Sequence, residues 1–188
     1  MCSTTKKVLE KAGKSPQDIK GISFCSQMQG LVLVDEKGQP VHRPMSYMDQ
    51  RATAEYKKCM GGFPTISGAN AFKILRSLRM NAAASTSVKD PIWKYKWIEA
   101  HEPENFKRAY KWLDVKEYFL LRCTGNFLMT KDSAFATMAY ATKGKNPGWN
   151  KAFCKMYGIK REHLPEIIDC VDMEGELTEK SAKEIGLV

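Results

Sequence analysis

The sequence has no long apolar run and no leader-like N-terminus. None of its apolar stretches approaches the roughly 18 residues that a membrane-spanning helix requires. The opening stretch MCSTTKKVLEKAGKS contains lysines but no apolar segment after them, so we expect neither a signal peptide nor an anchor. These absences predict a cytoplasmic protein that does not bind membranes.

Closely spaced metal ligands are also lacking. The six cysteines include no C-x-x-C pair, and the three histidines lie far apart in the sequence. Because a zinc site needs ligands at closer spacing, we predict no metal site. Most of the cysteines are expected to be reduced thiols, as in a reducing compartment.

The sequence motifs of several enzyme classes are missing. Neither of the glycine-rich phosphate-binding patterns, G-x-x-x-x-G-K-[ST] and G-x-G-x-x-G, occurs, and Gly61-Gly62 is too short to replace them. The serine hydrolase motif G-x-S-x-G is absent, and Ser26 has no assignable histidine partner. No catalytic triad is therefore visible in this chain.

The net charge of +9 is not arranged as in a nucleic-acid-binding protein. Basic residues between Lys57 and Arg122 are spread over predicted helix surfaces, whereas the tail from Glu166 to Val188 is acidic. No RNP-like aromatic motif, zinc knuckle or arginine-rich arm accompanies the charge. This favours a solvated basic surface, or one that faces an anionic small substrate, and predicts no nucleic-acid partner.

What is present is the composition of a globular domain, with 188 residues, 43% hydrophobic and 27% charged. This length favours one domain. Three early segments have strand character, namely Ile19–Cys25, Leu31–Val34 and Val41–Tyr47. Mostly helices follow, which predicts an α/β or α+β fold. Three clustered strands make a thin sheet for so many helices, as expected for part of a larger sheet.

Apolar spacing and capping residues predict the later elements. The predicted helices are Thr5–Ala12, a helix that Asp49 caps and Gly61-Gly62 ends, Asp90–Ala100, Val115–Cys123, Asp132–Tyr140, Trp149–Tyr157 and Thr178–Glu184; a strand is predicted over Tyr110–Leu113 and a loop at Asn146-Pro147-Gly148. Trp93, Trp97 and Trp112 fall on apolar faces and are predicted to be core residues.

The turn Gln27-Met28-Gln29 is the strongest candidate for ligand recognition. Side chains at a strand end emerge from a rigid support, and each amide carries two donors and an acceptor that suit pairs of sugar hydroxyls. An equally plain interpretation is that the glutamines only solvate a turn. For Asp49 and Arg51 alone, a helix cap and a surface ion pair worth under about 1 kcal/mol are favoured.

Several segments together resemble the FGGY family of carbohydrate kinases. SQMQG, VDEKGQP and SYMDQRA are similar to its Q-M-H-G-like turn, its L-D-x-x-G-x-P segment and its W-x-D-x-R segment. KYKWIEAHEPENFKRA, WLDVKEYFLLRCTGNF, DSAFATMA and GIKREHLPEI continue the match in family order. The resemblance covers nearly the whole chain, residues 1–188, which we interpret as part of the family's N-terminal, sugar-binding domain.

The resemblance implies an ATP-dependent kinase that phosphorylates a sugar or polyol hydroxyl, with a pentulose such as xylulose as the expected substrate. It implies a ribonuclease H-like lobe of the actin and hexokinase type, with a mixed sheet and surrounding helices. ATP and Mg²⁺ belong to the complete enzyme, for which a homodimer is one arrangement. The family's phosphate loop, catalytic aspartate and C-terminal ATP lobe are not in this sequence. We therefore expect an incomplete lobe that is inactive alone and binds no cofactor.

The resemblance also assigns substrate-binding positions. Met28 and Gln29 take the two positions that contact substrate, and Tyr47 replaces a tryptophan that lines the sugar site in several members. With Gln27 and Asp49 they form the predicted substrate-binding set. Xylulokinase-like members usually carry histidine at the position of Gln29. The alternative is a non-catalytic sugar-binding or regulatory module derived from the same lobe.

Overall fold

The computed structural model describes residues 2–144 and 147–187 as a mixed α/β fold. The α-helices are α1 (Cys2–Ala12), α2 (Thr53–Met60), α3 (Ala71–Met80), α4 (Pro91–His101), α5 (Pro103–Lys107), α6 (Val115–Thr124), α7 (Lys131–Ala136), α8 (Lys151–Tyr157) and α9 (Glu179–Ile185). The strands are β1 (Val32–Val34), β2 (Thr65–Ile66), β3 (Ala69–Asn70), β4 (Lys111–Leu113), β5 (Leu128–Thr130), β6 (Tyr140–Ala141), β7 (Gly148–Trp149) and β8 (Glu166–Ile168). Short 3₁₀ turns occupy Pro16–Asp18 and Arg161–His163. Among the described helices, none combines the length and the apolar character that a membrane span requires.

Within the described ranges the strands pair two by two, in both senses. β1 is antiparallel to β4, with Val32 opposite Leu113, and β2–β3 and β6–β7 are also antiparallel. β5 and β8 are parallel, with Leu128 opposite Glu166. The predicted α/β fold is confirmed, with small two-stranded sheets among the described residues.

Strand β1 is buried on both faces. Leu31 and Leu33 belong to the large core cluster that includes Trp93 of α4, whereas Val32 and Val34 pack with a second cluster that contains Leu121 of α6. A continuous apolar run suits such a strand, since neither face meets water. The predicted strand over Leu31–Val34 is confirmed, and it provides a rigid support for the residues that precede it.

Two other predicted strands are wrong. Ile19–Cys25 has apolar strand character but forms no described strand, and Ile19 and Ile22 are exposed. A strand requires a neighbour for its backbone N–H and C=O groups, and no described strand pairs with this segment. Val41–Tyr47 also forms no described strand. The Val41 N–H donates to the carbonyl oxygen of Leu33 and Met45 forms an isolated bridge with Leu31, but Pro44 between them has no N–H to donate.

The helix predictions are more accurate than the strand predictions. The structure confirms Asp90–Ala100 as α4 and Val115–Cys123 as α6, within a residue or two. The helix predicted over Asp132–Tyr140 is too long: α7 ends at Ala136, Met138 adopts a φ of 61°, and Tyr140 begins β6. A positive φ cannot continue a right-handed helix.

Other boundaries differ slightly. Helix α8 begins at Lys151 rather than at Trp149, which lies in β7. The loop predicted at Asn146-Pro147-Gly148 begins at a residue outside the described ones. Trp93 and Trp112 are fully buried, as predicted, and Trp97 is partly buried against the core.

Candidate functional site

The predicted turn forms a bend over residues 27–30, directly before Leu31. Gln29 adopts a φ of 64°, in the left-handed region that few non-glycine residues occupy. Leu31 and Met45 exchange two backbone hydrogen bonds of 3.0 and 2.9 Å. Gln29 and Tyr47 each stand two residues beyond this bridge, so the fold brings together the two segments that carry the predicted residues.

Several side chains of these two segments are exposed to solvent. The exposed fractions are 46% for Met28 and 45% for Tyr47, and Gln27 is also exposed. Gln27 presents amide donors and an acceptor, and Tyr47 presents a hydroxyl on an apolar ring. This combination suits a ligand that has both hydroxyl groups and a C–H face.

The carboxylate of Asp49 binds Arg51 and does not cap a helix N-terminus. Its Oδ1 accepts hydrogen bonds from the Arg51 backbone N–H (3.1 Å) and Nε (3.0 Å), and Nη2 of Arg51 lies 2.9 Å from Oδ2. The predicted cap is wrong, since α2 begins at Thr53 and this carboxylate is already engaged. Burial acts to raise the pKa of Asp49, but the hydrogen bonds and charge of Arg51 outweigh it and lower the pKa.

The position of Arg51 is fixed in turn by an aromatic side chain. Its guanidinium lies 5.0 Å from the centre of the Trp97 ring, a cation–π contact. Trp97 stacks on His101 at 4.8 Å, and His101 Nε2 lies 3.0 Å from Glu55. The carboxylate of Asp49 is therefore connected to helix α4.

Asp114 lies beneath the bend and is buried. Its Oδ1 accepts hydrogen bonds from the backbone N–H groups of Gly30 (3.1 Å) and Val115 (2.7 Å). A Cβ atom on Gly30 would lie only 2.6 Å from this oxygen, so the approach requires glycine. Burial raises the pKa of Asp114 to about 6, although the N–H groups of Val115, Gly30 and Gln29 act against it.

Lys94 is the second buried charge beneath the bend. Its side chain, from α4, is fully buried, and Nζ donates a 2.7 Å hydrogen bond to the carbonyl oxygen of Gln29. Burial lowers the pKa of Lys94 to about 8, while the charges of Asp49, Asp114 and Asp90 act in the opposite direction. The bend is therefore held by one buried cation and one buried carboxyl group.

Sequence reasoning missed Lys94 and Asp114 as site residues. The signal for Lys94 was its position three and four residues before Trp97 and Ile98, which places it on the apolar face of α4. A lysine on such a face needs a specific partner. Asp114 follows the buried strand β4 and caps α6. Its sequence position predicts only this cap and does not indicate that it also contacts the bend.

A separate cavity of about 600 Å³ lies along residues 19–24 and α6. Its lining includes Phe24, Lys116, Thr130 and Glu174, and none of the five predicted substrate-binding residues. The predicted residues therefore form a largely exposed patch outside this cavity.

The described residues do not offer a cluster of side chains that fits a metal ion. Among them, no group of three or more His, Cys, Asp or Glu side chains could hold a metal ion. Near the bend, Lys94 binds the Gln29 carbonyl oxygen, Asp114 binds backbone N–H groups, and Asp49 binds Arg51.

Comparison with solved structures defines the class of protein. The chain matches xylulose kinase from Rhodospirillum rubrum with a TM-score of 0.80 at 16% identity, over 98% of this chain and 36% of that one. It matches gluconate kinase from Lactobacillus acidophilus with a TM-score of 0.70 at 25% identity, over 91% and 33%. The fold is therefore the ribonuclease H-like fold of sugar kinases, of the actin and hexokinase type, as predicted.

The sequence comparison then identifies the family. The model of the FGGY family of carbohydrate kinases, N-terminal domain, matches residues 1–188, and the chain belongs to this family. It is 30% identical to xylulose kinase of Staphylococcus xylosus over 173 residues, which cover 90% of this chain and 33% of that protein. Xylulose kinase of Bacillus subtilis is 27% identical over 172 residues. The chain spans about a third of the length of these curated relatives.

Proposed function

We propose that this chain is the sugar-binding part of an ATP-dependent carbohydrate kinase, and that its bend binds the substrate. Gln27, Met28 and Gln29 form one side of the binding patch, and Tyr47 and Asp49 form the other. The observation that carries this proposal is the bend itself. Its backbone is fixed from below by Lys94 and Asp114, while Gln27 and Met28 remain exposed to solvent. A binding surface needs both properties, since a fixed backbone reduces the entropy lost on binding.

The proposed substrate is a pentulose such as xylulose. Relatives that share this region are named xylulose kinases, and one that is 26% identical is named glycerol kinase. All of these names describe enzymes that act on polyhydroxylated compounds. The amide of Gln29 supplies two donors and one acceptor where xylulokinase-like members usually carry an imidazole, so the hydrogen-bond pattern for the sugar differs at this position.

Phosphoryl transfer is assigned to parts of the protein outside these 188 residues. The chain spans about a third of the relatives' length, and its described residues offer no metal site. The alternative function is a non-catalytic sugar-binding or regulatory module derived from the same lobe. The flanking coding sequence separates the two: an upstream phosphate loop and a downstream aspartate in a glycine-rich segment support the kinase.

The direct test is Gln29→Ala in the full-length gene product, assayed for ADP release with ATP and a panel of pentuloses and polyols. Loss of a buried hydrogen-bond partner costs about 1–3 kcal/mol, so we expect sugar kcat/KM to fall by roughly 5- to 150-fold with little change in the KM for ATP. Gln39→Ala, at an exposed glutamine in the turn after β1, is the matched control and should change neither constant. An unchanged sugar kcat/KM in Gln29→Ala would remove Gln29 from the site.

A further inference from the structure

Lys94 lies in an environment where lysine is rarely found. Its side chain is fully buried on α4, between the fully buried residues Trp93 and Tyr95. Removing an ammonium group from water is costly unless charges and hydrogen bonds replace the lost hydration. Such a residue is retained at a cost to stability, which raises the question of what its charge does.

The hydrogen bond of Lys94 and two of its three charge partners connect it to the proposed sugar-binding patch. Nζ donates to the carbonyl oxygen of Gln29, at 2.7 Å. The carboxylates that act on its charge are Asp49, Asp114 and Asp90. Asp49 belongs to the proposed patch, and Asp114 binds the N–H of Gly30. Lys94 is thus placed between the two segments that form the patch.

The third carboxyl group, that of Asp90, binds a different part of the chain. Asp90 is buried at the start of α4, where its Oδ2 accepts hydrogen bonds from the Ser85 hydroxyl (2.8 Å) and the Ser87 N–H (3.2 Å). It belongs to the loop before α4, not to the patch. Its negative charge still favours the protonated form of Lys94.

The backbone at Gln29 needs such a support. A φ of 64° at a non-glycine residue is a strained conformation that persists only where neighbouring groups hold it. The carbonyl oxygen of Gln29 accepts a hydrogen bond from Lys94. On the other side, the Gly30 N–H donates to Asp114, and the N–H groups of Gln29 and Gly30 both lower the pKa of Asp114. Without Lys94, that carbonyl loses its buried partner and Asp49 loses a nearby positive charge.

We propose that Lys94 is a positioning residue for sugar binding, which fixes the Gln29 bend and the Asp49 segment at one spacing without touching the substrate. This inference depends on the proposed function, because it names the support of that same site. It predicts that Lys94 affects how well the sugar is bound rather than how fast the bound sugar reacts. A purely structural lysine would affect stability and leave both constants unchanged.

The test compares Lys94→Met with Lys96→Met in the full-length gene product. Methionine has a similar length and no donor, so we expect sugar KM to rise at least about 10-fold, with kcat and the KM for ATP changed less than about 3-fold. Lys96 lies two residues away on the same helix, where it binds Glu99 and the carbonyl of Gly158, so its variant should keep the wild-type sugar KM. An unchanged sugar KM in folded Lys94→Met, or an equal rise in Lys96→Met, overturns the proposal.

A structural readout accompanies the kinetics. Hydrogen–deuterium exchange of peptides that cover residues 26–31 should become faster in Lys94→Met and stay unchanged in Lys96→Met. Equal exchange in Lys94→Met and wild type would show that Lys94 does not hold the bend. Should Lys94→Met fail to fold, Lys94→Gln, which keeps a shorter amide donor, is expected to fold and to raise sugar KM at least about 3-fold; no rise there also overturns the proposal.

The two proposals fail in different ways. If the wild type neither phosphorylates nor binds any sugar of the panel, the proposed function is wrong, and so is the role of Lys94 in sugar positioning. The hydrogen–deuterium exchange data then decide only whether Lys94 holds the bend. If Gln29→Ala lowers sugar kcat/KM and Lys94→Met leaves sugar KM unchanged, the site is correct and the role of Lys94 is wrong.

Discussion

At the scale of single residues, Gly30 determines how closely the Asp114 carboxyl group approaches the bend. Its missing Cβ atom lets Asp114 Oδ1 approach the backbone, where it accepts the Gly30 N–H. The adjacent Gln29 then adopts its left-handed φ and directs its carbonyl toward Lys94. The shape of the bend therefore depends on close packing as well as on charge.

At this scale we predict that Gly30→Ala destabilises the chain. The new Cβ atom would lie 2.6 Å from Asp114 Oδ1 and 3.1 Å from Val115 Cγ2, so Asp114 must move and its hydrogen bond to the bend weakens. Overpacking of this kind costs about 1–3 kcal/mol in the free energy of unfolding, measured by urea titration. Gly21→Ala is the control, since a Cβ there meets nothing within 4 Å. Equal free energies of unfolding for the two variants would contradict the close approach at Gly30.

At the scale of elements, helices were predicted better than strands for a physical reason. A helix satisfies its own backbone hydrogen bonds, so local spacing and caps, as in α4 and α6, are sufficient evidence. A strand depends on a partner distant in sequence. The segment Ile19–Cys25 has strand composition and no described partner, whereas β1 has β4 beside it and is a strand.

Asp132 of α7 accepts hydrogen bonds from α6 and β5, and this contact predicts a pH-dependent stability. Lys116 Nζ lies 3.0 Å from both carboxylate oxygens of Asp132, and the Thr130 hydroxyl also donates to Asp132. Burial acts to raise the pKa of Asp132, but these hydrogen bonds lower it to about 2. Because the folded pKa lies below the ordinary aspartate pKa of 3.8, the stabilisation is complete above about pH 4 and is lost as the pH falls through 2.

We therefore expect Asp132→Asn to lower the free energy of unfolding at pH 7, with the difference from wild type shrinking as the pH falls from 4 to 2. The measurement is urea unfolding at a series of pH values. Glu104→Gln removes an exposed partner of Lys107 and should have almost no effect at pH 7. A difference for Asp132→Asn that stays constant from pH 7 to pH 2 would exclude the ionised carboxylate as its source.

At the scale of the whole molecule, the order of short sequence motifs indicates the family. The residues that support the candidate site can be recognised only from the packing of the folded chain. The bend residues and Asp49 could be proposed as site residues from the sequence because they stand in short segments with a recognisable order. Lys94 and Asp114 could not, because their roles arise only when α4 and the start of α6 pack beneath the bend. The pairing of Asp49 with Arg51, instead of with a helix N-terminus, likewise depends on Trp97 of α4 supporting the guanidinium.

The last prediction concerns what the 188 residues can do alone. Their described part carries the proposed substrate-binding patch and no candidate metal site, and they match about a third of each relative. Phosphoryl transfer requires positioning and charge neutralisation around the transferred group, which this patch does not supply. We expect the purified 188-residue chain, given ATP, Mg²⁺ and each sugar of the panel, to release no ADP above the rate without sugar, whereas the full-length gene product should do so. Sustained release by the short chain that depends on the sugar and is abolished in Gln29→Ala would place the catalytic groups within these residues and refute the division of labour proposed above.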